Sequence, residues 1–93
     1  MKFEPGRFLA TPAVLEAVPR GIINAAIERH LNGDWGDVCN SDKRANNRAL
    51  KNGSRLLSVY HTPALGDMKN GIKFWIITEA DRSATTVLLP SDY

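Results

Sequence analysis

The sequence predicts an α+β fold, and two observations carry that expectation. Up to Gly53 the apolar residues recur at helical spacing; from Ser54 onward they alternate with a period of two. The helical half is punctuated by Asn32-Gly33 and Asn52-Gly53, pairs that favour a left-handed helix stop. Helices first and strands last place two to three N-terminal helices on one face of a C-terminal three-stranded antiparallel meander. Residues 1–93 read as a single small domain, with no repeat, low-complexity tract or linker.

Each element has its own signal. Phe8 to Ala10 is a short apolar run suited to an N-terminal edge strand. Thr11-Pro12 starts a helix, with a hydroxyl N-cap and proline at the first helical position. That helix, Pro12 to Val18, is stopped by Pro19-Arg20-Gly21. A second helix runs from Ile22 to Leu31, with Ile23, Ala26, Ile27 and His30 or Leu31 on one apolar stripe. Arg29 and His30 fall in its last turn, where positive charge suits the helix dipole. DWGDVCN forms a loop. Asn40 or Ser41 then caps a third helix over Asp42 to Lys51, whose expected buried side is thin: Ala45, Ala49 and Leu50. RLLSVYHT, IKFWIITEA and TTVLLP are the three β-rich runs, joined by TPALGDMKNG and by a tight ADRSA turn.

Composition narrows the function classes. With 43% hydrophobic and 24% charged residues, the 93-residue chain is neither disordered nor fibrous. A domain this small buries ~60 to 65% of its unfolded surface, so its stability is modest. The net charge of +2 permits nucleic-acid binding without demanding it, because no dense Lys/Arg run exists. Cys39 is the only cysteine, which rules out an intramolecular disulfide and suggests a reducing cytoplasm. No apolar run approaches the ~18 residues of a membrane span, so no membrane partner is expected.

Three stretches could carry chemistry. In RHLNGDWGD, His30, Asp34 and Asp37 match no established metal-ligand spacing. They read as a structural loop with Trp35 as its apolar plug, the aspartates turning the chain by bonding nearby backbone. In the third helix, Arg44 and Arg48 lie at i, i+4 and point the same way, with Asn47 beside them: a surface for phosphate or carboxylate. At the hairpin tip, Asp81 and Arg82 serve either the turn or a binding surface. The lone Cys39 has no CxxC partner, and no Gly-rich phosphate loop is present. The sequence therefore calls for no catalytic residue, metal or cofactor.

Three strings, RHLNGDWGD, DKRANNRAL and FWIITEADRSATTVLLPSDY, resemble a family of short proteins of plasmids, prophages and integrative elements, often called "plasmid-related protein". The resemblance covers residues 6 to 93 and implies an accessory role on a mobile genetic element. Two expectations follow. One is a cytoplasmic, non-catalytic protein that binds a host protein or ribonucleoprotein complex, as an anti-CRISPR inhibitor of host defence does, with nucleic acid as a further possible partner. The other is a small RNA-cleaving domain resembling the barnase and RelE-like group. The second requires His30 or His61, an arginine such as Arg82, and a carboxylate to converge on one face of the sheet.

Overall fold

The computed structural model describes residues 1–63 and 71–93. Its order is β1 (Arg7–Ala10), α1 (Pro12–Ala17), α2 (Arg20–Leu31), α3 (Asn40–Asn52), β2 (Leu56–His61), β3 (Lys73–Thr78) and β4 (Ala84–Leu88), closed by a 3-10 turn over Pro90–Asp92. The class is α+β. The TPALGDMKNG joint falls largely outside the described residues.

Local chemistry accounts for the helix ends. Thr11 accepts the Val14 amide at the start of α1. α2 begins earlier than the apolar stripe suggests, at Arg20, because Pro19 fixes the φ needed just before a helix and the Pro19 carbonyl accepts from Ile22 and Ile23. At the end of α3, Gly53 has φ 77° and donates its N–H to the Ala49 carbonyl.

The sheet order is β1-β4-β3-β2. β2, β3 and β4 form the expected antiparallel meander, with Tyr60 opposite Phe74 and Ile76 opposite Val87. β1 extends it, pairing parallel to β4 with Phe8 beside Thr85 and Ala10 beside Val87. The sheet is therefore mixed and four-stranded, not a three-stranded meander alone. A parallel neighbour needs a crossover, and the whole chain between β1 and β4 supplies it.

The helices cover one face. Val14 and Val18 at the α1 end, with Ile23 and Ala26 of α2, pack on Tyr60, Phe74, Ile76 and Val87. A second cluster joins Trp35, Val38, Ala49 and Leu56, with Phe3 and Leu50 at its margin. Period-two alternation puts Trp75 on the opposite face, half-buried, its ring 5.6 Å from that of Tyr93.

α3 buries the expected Ala49 and Leu50 but turns Asn46 inward in place of Ala45. Asn46 and Ala49 are buried and Leu50 is half-buried, but Ala45 is exposed. The physical reason is a specific bond set. Asn46 Nδ2 donates to the Leu57 carbonyl at 2.7 Å, and the Leu57 N–H donates to Asn46 Oδ1 at 3.2 Å. A side-chain amide with both a donor and an acceptor can replace a neighbouring strand, and that pairing rotates the helix about its axis.

Candidate functional site

His30 is fully buried, and it organises the centre of the fold. Its Nδ1 lies 2.5 Å from Ser58 Oγ on β2 and its Nε2 lies 2.9 Å from Thr78 Oγ1 on β3. Thr78 Oγ1 lies 2.8 Å from Thr85 Oγ1 on β4, and the Thr85 hydroxyl donates to the Pro5 carbonyl at 2.7 Å. That carbonyl can only accept, so it fixes the direction of the whole chain of bonds. Thr78 donates to Thr85, His30 Nε2–H donates to Thr78, and the Ser58 hydroxyl donates to an unprotonated Nδ1. The neutral Nε2–H tautomer is thereby specified. Burial, with the Arg82 charge as a smaller cause, pushes the His30 pKa down to about 4. The rings of Phe3 and Trp35 stand edge-on to the imidazole at 5.4 and 5.5 Å.

The GDWGD loop wraps over the outer edge of β2. The Val59 N–H donates to the Trp35 carbonyl and the Asp37 N–H donates to the Val59 carbonyl, at 3.1 and 2.7 Å. Gly36 sits between them at φ 73°, and a Cβ there would run into the Val59 carbonyl oxygen. Trp35 is 3% exposed, and its indole N–H donates to Asn47 Oδ1 at 3.0 Å. Asp34 accepts two bonds from Arg29, at 2.7 and 3.2 Å, and one from the Gly36 amide. The Arg29 bonds hold the Asp34 carboxyl below its ordinary pKa. Asp37 meets a residue far along the chain: His61 Nδ1 is 2.6 Å from Asp37 Oδ2. Thus His30, Asp34 and Asp37 diverge, each to its own partner. Among the described residues no group of three or more His, Cys, Asp and Glu side chains is placed to hold a metal ion.

At the hairpin tip, Arg82 takes φ 61°, and its guanidinium is engaged within the fold. Nη1 donates to the Ser54 and Glu79 carbonyls, at 2.7 and 3.1 Å, and Nη2 to the Ala49 carbonyl at 3.0 Å. Arg82 therefore adds a second bond to the Ala49 carbonyl, which already accepts from Gly53, and joins the helix end to the hairpin. Asp81 accepts from the Ser83 amide at 2.9 Å, and bonding to Ser83 keeps its carboxyl below the ordinary range. Of the residues expected on a binding surface, Asn47, Asp81 and Arg82 thus have partners inside the protein.

Arg44 and Arg48 are different. Both are exposed, and neither enters an ion pair among the described residues. With Lys43 and Lys51 they give α3 four cations against one acid, Asp42. That is a formal +3 on one helix of a chain whose total is +2. This cationic face is the candidate interface.

A second feature lies between α2 and the β2–β3 part of the sheet. Ile22, Ala25, Arg29, Tyr60, His61 and Phe74 line an apolar cleft of about 230 Å³. Tyr60 donates to the Asp34 carbonyl at 2.6 Å, burial pushes its pKa up to about 12, and Arg29 lies 4.8 Å over its ring. Small-molecule sites usually run from ~300 Å³ upward, so the cleft suits a single side chain or base better than a cofactor. The His61–Asp37 pair at its rim was not singled out from the sequence. The two residues lie 24 apart, and no local spacing links them.

The chain matches no family model, no curated protein and no solved structure. Among the described residues no helix is long and apolar enough to cross a membrane.

Proposed function

We propose that this protein is a non-catalytic accessory protein of a mobile genetic element. In this reading it binds an acidic surface of a host protein or ribonucleoprotein complex through α3, inhibiting a host defence system as anti-CRISPR proteins do. One observation carries the binding half: the net charge of the chain is gathered on the exposed face of α3, around Arg44 and Arg48. Clustered cations raise the encounter rate with an acidic partner and favour carboxylate or phosphate groups. Two of the groups a ribonuclease could draw on support the same reading by their placement: His30 is sealed in the core, and Arg82 is bound to backbone carbonyls. The resemblance of residues 6 to 93 to plasmid and prophage proteins supplies the cellular setting.

The test is a comparison of partners retained by the natural protein and by the Arg44→Glu/Arg48→Glu variant from a host lysate, at low and high salt. The expected outcome is a partner held by the natural protein, lost in the variant and released by salt, with the melting temperature unchanged. Retention of the same partner by the variant would remove α3 from the interface.

The RNA-cleaving reading keeps one specific observation in its favour, the exposed His61–Asp37 pair at 2.6 Å beside a cleft that also holds Arg29. A carboxylate-oriented imidazole is suited to proton transfer. Cleavage of labelled RNA that disappears on His61→Ala, with folding intact, would establish that reading in place of the first.

A further inference from the structure

The sheet has two edges, and one of them is closed over Leu57 and Val59. On β2 the outward main-chain groups of Leu57 and Val59 are bonded by the Asn46 amide and by Trp35 and Asp37. On β1 the bonds to β4 run from alternate residues: Arg7 donates to the Ser83 carbonyl at 3.0 Å and Thr11 to the Val87 carbonyl at 3.1 Å. Phe8 and Ala10 must therefore turn their N–H and C=O groups away from the sheet. Among the described residues nothing pairs with them. All four residues of β1 are exposed, Phe8 at 51% and Leu9 at 42%. Natural edge strands are normally blunted by charge, proline or a bulge; β1 carries a single charge, Arg7 at its start, and Phe8, Leu9 and Ala10 have neither charge nor proline.

We infer that the free edge of β1 pairs antiparallel with β1 of a second copy of this chain, joining two sheets into one across a two-fold axis at Leu9. The register follows from self-complementarity. With Leu9 opposite Leu9 of the second copy, Phe8 faces Ala10 of that copy, and both outward N–H and C=O groups of each chain are satisfied. Side chains fit the same register. Phe8 and Ala10 share the helix-side face with Thr85 and Val87, so a large ring lies over a small residue. Beside it runs a groove of about 250 Å³ lined by Leu15, Ile23, Ile27 and Val87, which gives the ring an apolar bed. On the opposite face Arg7 comes to Thr11 of the second copy. The Thr11 hydroxyl donates to Asp92 at 2.7 Å, so a carboxylate stands where the arginine arrives, twice across the axis. A foreign strand could use the same main-chain groups, but neither the Phe8–Ala10 fit nor the Arg7–Asp92 complementarity would be required of it.

The experiment is sedimentation equilibrium of the untagged protein and two variants over a concentration series, with two cysteine variants tested by oxidation. The natural chain is expected to show a reversible monomer–dimer equilibrium. Leu9→Lys, which sets like charges across the axis, and Ala10→Pro, which deletes an outward N–H, are each expected to abolish the dimer while the melting profile stays that of a folded domain. In a Cys39→Ser background, Leu9→Cys is expected to form a disulfide-linked dimer on mild oxidation, since residues facing each other at a non-hydrogen-bonded position have Cα atoms ~4.5 Å apart, within the span of a disulfide. Arg7→Cys in the same background, not facing itself, is expected to form no disulfide-linked dimer. A natural chain that is monomeric throughout the series would overturn the inference, leaving the edge to a foreign strand. So would a dimer that survives both Leu9→Lys and Ala10→Pro.

Discussion

The two edges of this sheet are built from the same kind of strand and treated in opposite ways. At β2, a helix side chain and a glycine-centred loop bond the outward amides and carbonyls of Leu57 and Val59, and Trp35 fills the space behind them. At β1, four exposed residues present their outward groups to solvent. The difference shows that closing an edge takes sequence-distant partners with the right donors and acceptors. The fold spends Asn46, Trp35, Gly36 and Asp37 on one side only.

The largest expected effect lies at the closed edge. Trp35→Ala removes a ring packed on Val38, Ala49 and Leu56 together with its bond to Asn47, and should cost about 3 to 5 kcal/mol by chemical denaturation. A loss below ~1 kcal/mol would mean that the loop is not what holds that side shut.

Acid gives the next effect, because the His30 network spans the sheet from Ser58 near the closed edge to Pro5 just before the open one. The folded pKa of about 4 lies below the ordinary 6.5, so the unfolded chain binds the proton more readily. Stability is fully present above pH ~6.5 and falls as the pH drops toward 4, then levels off as far as this residue is concerned. At ~1.4 kcal/mol per pH unit the loss amounts to roughly 3 kcal/mol. A stability profile flat between pH 6.5 and 4 would show that His30 takes its proton without cost.

A paired substitution sharpens the contrast between the edges. Asn46→Leu leaves the Leu57 N–H and C=O without partners and should cost about 1 to 3 kcal/mol. Phe8→Thr on β1 should change the stability of the monomer by less than ~0.5 kcal/mol, since its side chain is half exposed and its outward groups have no partner to lose. Equal costs at the two positions would erase the distinction drawn here.

Much of this architecture was legible in the chain, and the legible parts share one property: they depend on near neighbours. Thr11-Pro12 capped α1, Gly53 stopped α3, and period-two alternation marked β2, β3 and β4 because each signal acts within a few residues. Of the residues expected on a binding surface, Arg44 and Arg48 were readable as solvent-facing for the same reason, being four apart on one helix. Asn47, Asp81 and Arg82 looked like surface groups because their partners, Trp35, Ser83 and the carbonyls of Ala49 and Ser54, are found only once the chain has folded back.

By itself, then, the sequence determined the class and the order of elements, both set by backbone preference and local periodicity; β3, apolar on both sides, left its face open. The tertiary structure alone decided the rest. It paired β1 parallel to β4 across most of the chain length, turned α3 so that Asn46 and not Ala45 is buried, and brought His61 to Asp37. Long-range hydrogen bonds settled each of these. A polar side chain carries no mark of which distant donor or acceptor it will meet, and one that is buried, as Asn46 is, must meet one.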